Sequence, residues 1–382
     1  MNTLTSALSH TVHVRALKPM LFRMRPDFVH NRTVAMGSAV QRVAPFLGLV
    51  RSCWAYQNPD VLGQTLAGIE FTNPIGLSAG FDKKFELLPL MKNLGFGFEE
   101  AGSLTFQPCD GNPRPWFYRL PKSKSIVVHA GLANPGVEAI IARVQKYKPA
   151  VFADFPLNVS IAKTNSRATA TPKKGVADYV GSLQAVKQAD IGDLVTLNIS
   201  CPNAYGGEPF TTPELLEALL TAIDAVGYTK PIFLKMPCAP WDYVEPLVAV
   251  ASKHNVAGLT FSNLAKDRSS PDVKDPLPDS VRGGLSGKPT WEMSNELIRR
   301  TYIEYPDRFI ITGVGGVFSA EDAYTKIRLG ANLVELITGM IFEGPQLIGQ
   351  INRDLVRLLK TDGFTHISQA VGVDALRLPT DK

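Results

Sequence analysis

Short apolar runs alternate with longer amphipathic segments along the chain from about residue 68 onwards. The apolar runs predict eight strands, near Asn73–Leu77, Gly97–Ala101, Phe155–Val159, Leu194–Ile199, Ile232–Met236, Gly258–Phe261, Phe309–Thr312 and Leu333–Ile337. Helical spacing predicts helices near Phe85–Leu94, Val137–Tyr147, Val176–Ala189, Thr212–Val226, Val244–His254, Thr290–Tyr305, Ala320–Leu329 and Pro345–Lys360. Eight strand and helix units indicate an α/β fold, a (β/α)8 TIM barrel, with a doubly wound sheet as the alternative.

Residues 1–60 do not follow this alternation. Met20, Met24 and Phe28 stand at i, i+4 and i+8 among basic side chains, and Pro19 and Pro26 interrupt the pattern. We therefore predict two short helices with a break, in an N-terminal helical extension over residues 1–60 that precedes a barrel over residues 61–382. The extension is either a helical cap packed on the barrel or a basic amphipathic surface that lies on an anionic membrane.

Charge and composition narrow the function classes. The chain of 382 residues has a net charge of +5, and residues 1–60 carry seven basic and two acidic side chains, so the rest is neutral. A neutral body argues against nucleic-acid binding. No apolar run is long enough for a transmembrane helix, and four cysteines and six histidines show no metal-ligand pattern, so no metal is expected. The basic, acid-free start also suits a mitochondrial transit peptide.

Candidate chemistry stands at the carboxyl ends of the predicted strands, where barrel enzymes place their active sites. These ends are rich in amides, lysines and glycines and lack paired carboxylates; they include Lys83, Asn198, Lys235, Asn263 and the run Gly313–Gly316. Amides and lysines suit a planar heterocycle, and late glycines suit a phosphate held by backbone N–H groups. A flavin fits best. Taken singly, the glycine run is also an ordinary tight turn, and Cys201 is also an ordinary small apolar residue.

Several stretches are specific enough to indicate a family. They are Asn73–Lys83, Gly111–Pro115, Arg119–Pro121, Gly283–Gly287 and Gly313–Gly316. With them the chain resembles the dihydroorotate dehydrogenase family from about Ala16 to Leu376, and in particular its membrane-associated, quinone-reducing class.

The resemblance implies an FMN-dependent oxidation of (S)-dihydroorotate to orotate, with quinone as the electron acceptor, in de novo pyrimidine biosynthesis. It also implies that residues 1–60 form a quinone tunnel and associate with a membrane. The expected location is therefore the surface of a membrane, either the bacterial inner membrane or the mitochondrial inner membrane.

The same resemblance implies a role for each matching residue. The expected FMN-binding residues are Ala79, Gly80, Lys83, Ser103, Asn158, Asn198, Lys235, Ser262, Gly287, Gly315, Gly316, Ile337 and Thr338. The expected substrate-site residues are Lys83, Val128, Gly131, Leu132, Asn198, Asn203 and Asn263. Cys201 matches the catalytic base, Lys235 matches the cation that stabilises charge on the reduced ring, and His30 and Arg119 match the quinone site.

Three positions depart from the quinone-reducing class. Cys201 replaces its usual serine, as in the soluble class, and Ile337 stands where Tyr is common. A thiol is about five or more pKa units more acidic than an alcohol, so we expect a lower pH optimum. Val128 replaces an asparagine that binds substrate, so either neighbouring groups such as His129 or Ser103 compensate, or the substrate is a related dihydropyrimidine.

These departures leave two alternatives open. One is a related flavoenzyme that acts on another dihydropyrimidine or uses a soluble acceptor such as fumarate or NAD. The other is a catalytically silent barrel that binds flavin or lipid. The long segment Ala265–Val281 is predicted to be either an active-site lid or a surface insertion.

Overall fold

The computed structural model of the protein describes residues 3–205 and 207–377. Within them the strands are β1 (Gln64–Leu66), β2 (Ile69–Phe71), β3 (Ile75–Leu77), β4 (Phe98–Leu104), β5 (Phe117–Leu120), β6 (Ser125–Val128), β7 (Leu157–Ile161), β8 (Leu194–Asn198), β9 (Ile232–Lys235), β10 (Gly258–Phe261), β11 (Gly284–Leu285), β12 (Ile310–Val314) and β13 (Leu333–Leu336). Eight of them pair in parallel and close in the order β3-β4-β7-β8-β9-β10-β12-β13. The predicted TIM barrel is therefore confirmed, and the doubly wound sheet is excluded because β13 pairs with β3.

Helices surround the barrel, and the first five form an N-terminal extension. They are α1 (Thr3–Val12), α2 (Lys18–Arg23), α3 (Pro26–Val40), α4 (Ala44–Trp54), α5 (Pro59–Leu62), α6 (Leu88–Leu94), α7 (Val137–Val144), α8 (Pro172–Ala189), α9 (Pro213–Asp224), α10 (Trp241–Ala251), α11 (Trp291–Glu304), α12 (Ala320–Arg328), α13 (Thr338–Glu343) and α14 (Leu347–Thr361). All eight predicted barrel helices are observed. In α14, for example, Leu347, Ile351, Leu355 and Leu359 repeat every four residues and are buried, because this spacing puts them on one face.

The N-terminal extension, α1 to α5, packs as a cap on the barrel. Helix α4 packs against α6 and α14, and α3 packs against β5. Trp54 Nε1 donates to Ser9 Oγ at 3.0 Å, which ties α4 to α1. His10 Nε2 lies 3.1 Å from the carboxylate of Glu343, which ties α1 to α13.

The prediction of two short helices in this segment is only partly right. A break does precede Pro26, where Met24 adopts an extended conformation. At Pro19 there is no break, because this proline lies in the first turn of α2, where its missing N–H is not needed. A π-helical turn, His13–Leu17, joins α1 to α2. Because of the break before Pro26, Met20 lies on α2 and Phe28 lies on α3.

No single helix in the described ranges is both long and apolar enough to cross a bilayer. Helices α3 and α4 pass that test only as a pair, and they meet at a bend of 113°.

A small antiparallel sheet, β5-β6-β11, lies beside the mouth of the barrel. The predicted lid segment packs next to it: Val273, Leu277 and Val281 contact a buried cluster that contains Leu120 and Leu285. The Asp275 carboxylate accepts hydrogen bonds from the backbone N–H and the hydroxyl of Ser123, at 2.7 and 2.6 Å. The segment is therefore an ordered loop attached to the β5–β6 turn.

Candidate active site

One continuous cavity of about 740 Å³ runs from the N-terminal cap to the carboxyl ends of the barrel strands. Its outer part lies among Met36, Val40 and Phe46 of the cap, and its inner part reaches Cys201 and Lys235. The predicted site residues that line it are Ala79, Gly80, Lys83, Ser103, Asn198, Lys235, Ser262, Gly287, Gly315, Gly316, Ile337, Thr338, Val128, Gly131, Leu132, Asn203, Asn263, Cys201, His30 and Arg119. The fold thus brings residues that are up to three hundred positions apart to one space.

Asn158 is the predicted site residue that does not line the cavity. It is buried, and its side-chain amide exchanges hydrogen bonds with Thr196 Oγ1 at 2.8 and 3.1 Å. Both polar groups of this amide are therefore used inside the barrel. Its role in binding FMN stays a prediction.

A row of amides and hydroxyls forms the polar wall of the inner cavity. Asn198, at the end of β8, donates from Nδ2 to Ser103 Oγ at 3.0 Å. Its Oδ1 accepts from Asn263 Nδ2 at 2.9 Å, and Asn263 also donates to Ser200 Oγ at 3.1 Å. Each group fixes its neighbour, so the wall presents preorganised donors and acceptors to a planar heterocycle.

Lys235 is a buried cation at the end of β9. Its Nζ donates to Glu100 Oε2 at 2.9 Å and to Ser78 Oγ at 3.1 Å, and it lies 3.9 Å from Glu335 Oε2. Burial lowers the pKa of Lys235, but the paired carboxylate of Glu100, with a smaller contribution from the Glu335 side chain, outweighs burial and raises it above its ordinary value. Lys235 is therefore charged at neutral pH.

Cys201 lies in the turn after β8 and is partly buried. Burial raises the pKa of its thiol to about 11, and the backbone N–H of Asn203 offsets this only in part. The residue is therefore a thiol at neutral pH, and it accepts a proton only through the small fraction that is thiolate.

Asn203 is hydrogen-bonded to the segment around Val128, the residue that departs from the quinone-reducing class. Its Nδ2 donates to the Val128 carbonyl at 2.9 Å, and its Oδ1 lies 3.1 Å from His129 Nδ1. An amide oxygen only accepts, so this contact is a hydrogen bond in the tautomer that carries the proton on Nδ1 of His129. The Val128 side chain packs in an apolar cluster with Phe117 and Phe342. His129 thus contacts an amide of the site, and its compensation for Val128 stays a prediction.

Gly287 and Gly316 line the far side of the cavity, at positions where a side chain would collide with neighbouring protein atoms. Gly316 has a φ of +74°, and a Cβ there would lie 2.8 Å from Trp291 Cβ. Gly287 also has a φ of +74°, and a Cβ there would lie 2.9 Å from Thr338 Cγ2 and would collide with the Lys124 carbonyl. These contacts with protein atoms require glycine at both positions. Because Gly287, Gly315 and Gly316 line the cavity without a side chain, their backbone N–H groups fit the phosphate of a flavin nucleotide.

His30 and Lys83 lie where the cap meets the barrel. Lys83 Nζ is 3.2 Å from His30 Nε2 and 5.1 Å from the centre of the Phe117 ring. Burial, and then the nearby Lys83 charge, lowers the pKa of His30 to about 3, so its neutral Nε2 accepts from the ammonium. Burial also lowers the pKa of Lys83 to about 8. This contact connects a predicted quinone residue to a predicted substrate residue.

Arg119 joins the barrel side of the cavity to α2. Its Nη1 donates to the carbonyls of Leu21 and Met24 at 3.1 and 2.9 Å, and its guanidinium lies 4.6 Å from the centre of the Phe22 ring. Leu21 is in the last turn of α2 and also accepts from the Met24 backbone N–H, whereas Met24 follows the helix, where carbonyls lack partners from a further turn. Arg119 therefore fixes the cap against β5.

The family model described as dihydroorotate dehydrogenase matches residues 61–359, more than three quarters of the chain. The chain belongs to the dihydroorotate dehydrogenase family.

Relatives and solved structures of this family align with almost the whole chain. "Dihydroorotate dehydrogenase (quinone)" of Nostoc punctiforme is 33% identical over 378 residues, covering 94% of this chain and 97% of that protein. The protein of the same name from Synechococcus elongatus is 35% identical, with 94% and 98% covered. The crystal structure of DHODH from Eimeria tenella in complex with ferulenol matches with a TM-score of 0.79 at 25% identity, covering 92% of this chain and 96% of that one.

Reasoning from the sequence missed three side chains of this dihydroorotate dehydrogenase family member. Ser78, Glu100 and Glu335 all contact or approach Lys235. The available signal was a carboxylate inside a predicted buried strand, at Glu100 in β4 and Glu335 in β13. Sequence alone could not assign either one to the lysine of a third strand.

Proposed function

We propose that this protein oxidises (S)-dihydroorotate to orotate with FMN as its flavin and passes the electrons to a quinone. The observation that supports the proposal is the continuity of one cavity, from the amide wall around Asn198 to the cap around His30. A barrel that only bound a flavin would not need a passage through its cap. Family membership of the chain agrees with this function.

The chain's own residues divide the work of the reductive half-reaction. The amides of Asn198, Asn203 and Asn263 orient the heterocycle, since each is fixed by a neighbour. Cys201 accepts the C5 proton of the substrate as thiolate, and Lys235 keeps a positive charge at the inner end of the cavity. A bound flavin supplies the hydride acceptor for the substrate and the electron donor for the quinone. The glycine cradle at Gly316 holds its phosphate.

An anaerobic titration of the purified flavoprotein would test this function. Dihydroorotate should bleach the flavin, and a quinone analogue should restore its colour faster than fumarate or NAD does. Cys201→Ala should lose the bleaching, whereas Cys53→Ala, a partly buried thiol of α4 away from the cavity, should keep it. Failure of dihydroorotate to bleach a flavin-loaded protein would refute the proposal.

The cap is proposed to associate peripherally with a membrane, through residues 1–60. Among the residues that the structure describes, fifteen large apolar side chains are exposed, and ten of them lie between Leu8 and Leu49, a small part of the chain. The same segment carries the excess of basic side chains. An apolar face with positive charge suits an anionic bilayer surface.

Liposome sedimentation tests this association. Replacing Leu8, Met20 and Leu49 by serine should reduce binding to anionic vesicles, and salt should weaken the binding that remains. Leu376→Ser is the matched control, because Leu376 is 81% exposed but lies outside the cap. Equal binding of all three proteins would contradict a membrane face on the cap.

A second candidate keeps the flavin and changes the substrate. The walls near the amide row include Val128, Leu132 and Leu264, which cannot donate to a carboxylate from their side chains. This observation favours a dihydropyrimidine without a carboxylate. Bleaching by dihydrouracil at lower concentration than dihydroorotate would support this candidate and reject the first.

A further inference from the structure

Three ionisable side chains meet in the sealed interior of the barrel. Glu100 is on β4, Lys235 on β9 and Glu335 on β13, and each is at most 4% exposed. Lys235 lines the cavity, whereas the two glutamates do not, so they lie behind it. The group therefore has one face, Lys235, toward the predicted flavin site, and its two glutamates are buried behind that face.

Hydrogen bonding separates the two glutamates. Glu100 Oε2 accepts from Lys235 Nζ at 2.9 Å, which is a charge-assisted bond. Glu335 Oε2 lies 3.9 Å from the same nitrogen, which is too far for a hydrogen bond. Among the described residues, neither Glu335 oxygen has a hydrogen-bond partner. Lys235 is thus paired with Glu100, and Glu335 has neither a hydrogen-bond partner nor a counter-ion of its own among the described residues.

The surroundings offer Glu335 no other charge. Its strand neighbours in register are Gly76 of β3 and Val314 of β12, which have no ionisable side chain. From β4 it faces Glu100, from β9 it faces Lys235, and the nearby hydroxyl is that of Ser78. A second buried carboxylate without its own counter-ion is strongly unfavourable. Burial and the Glu100 charge accordingly raise the pKa of Glu335 well above its ordinary value, and Lys235 lowers it only in part.

We propose that Glu335 is a neutral carboxylic acid that keeps the Glu100, Lys235 and Glu335 group uncharged overall. Lys235 then remains free to balance the negative charge that reduction places on the flavin. An ionised Glu335 would make the group net negative and oppose reduction. Glu335 is therefore a positioning residue that acts through Lys235, and this inference rests on the proposed function.

Infrared spectroscopy tests the proton directly, with or without bound flavin. The carbonyl band of a protonated carboxyl should be present at neutral pH and should be lost in Glu335→Gln. Glu99→Gln is the matched control, because Glu99 is a buried glutamate on the other side of β4. Burial and Asp82 also raise the pKa of Glu99, so Glu99→Gln should remove a different carboxyl band and keep that of Glu335. An unchanged carboxyl spectrum in Glu335→Gln would overturn the proposal.

Removing Glu100 gives a second, independent test. In Glu100→Gln, Lys235 loses its paired carboxylate, so Glu335 should ionise in its place and its acid band should disappear. Persistence of the Glu335 band in Glu100→Gln would contradict the charge balance. This result does not depend on Glu335 variants that fold poorly.

The midpoint potential of the flavin tests whether the proton on Glu335 affects flavin reduction. In the flavin-loaded wild type, Glu335 should ionise at alkaline pH, and its negative charge should then lower the midpoint potential of the flavin. Glu335→Gln should have the wild-type potential near neutral pH but should lack this additional decrease at alkaline pH. A higher potential in Glu335→Gln near neutral pH would show that Glu335 was ionised. If dihydroorotate does not bleach the flavin, the proposed function fails, while the infrared result still decides the state of Glu335.

Discussion

The strongest test of the proposed base is the pH dependence of flavin reduction. Burial raises the pKa of the Cys201 thiol from 9.0 to about 11. This disfavours the thiolate by about 2.7 kcal/mol, because each pKa unit corresponds to 1.36 kcal/mol. About one molecule in a thousand is then thiolate at about pH 8, and about one in ten at about pH 10. We therefore expect the rate of flavin reduction to rise about a hundredfold over this range.

Anaerobic stopped-flow measurement with saturating dihydroorotate follows this rate. Saturation matters because Lys83, a proposed substrate contact, loses its charge in the same pH range. At saturation, weaker substrate binding would not change the rate of the bound complex. Cys201→Ser should lose the rise, since an alcohol ionises only at higher pH. Cys238→Ser is the control, because burial raises the pKa of this thiol too, but it lies outside the cavity. A pH-independent rate in the wild type, or an unchanged profile in Cys201→Ser, would refute Cys201 as the base.

Three further predictions follow from single contacts. Lys83 has a pKa of about 8, so orotate should bind more weakly at about pH 9 than at about pH 7; a dissociation constant independent of pH would argue against a Lys83 contact. His129→Ala removes one hydrogen bond to Asn203, about 0.5–1.5 kcal/mol, so KM should rise about twofold to tenfold with little change in kcat; an unaltered KM would exclude this positioning role. Gly316→Ala introduces a left-handed alanine and a collision with Trp291, so FMN should be lost on dialysis; full retention, measured by absorbance, would speak against a phosphate cradle.

The barrel could be predicted from the sequence because its signals are local. Buried strands such as Gly258–Phe261 appear as short apolar runs, and α14 shows its buried face in its spacing. The carboxyl ends of parallel strands converge, so residues after separate runs could be placed in one site before the fold was known. That reasoning brought Asn198 and Asn263 together correctly.

Contacts between distant elements could not be predicted in the same way. The effect of Pro19 depended on its exact place in a helical turn, and Asn158 turned to Thr196 instead of lining the cavity. The contact of Lys83 with His30 depends on how the cap sits on the barrel. No residue from Lys266 to Val281 lines the cavity, so the lid function of this loop stays a prediction.

The central claim is that one cavity carries substrate chemistry at its inner end and quinone chemistry through the cap. The most direct measurement is stopped-flow of both half-reactions in Val29→Trp, which narrows the cavity beside His30, with Asn31→Trp as an exposed control on the same helix. We predict that dihydroorotate reduces the Val29→Trp flavin at the wild-type rate, whereas reoxidation by a quinone analogue slows at least about tenfold, a barrier increase of about 1.4 kcal/mol. Wild-type reoxidation in a folded Val29→Trp protein would contradict a quinone passage through the cap.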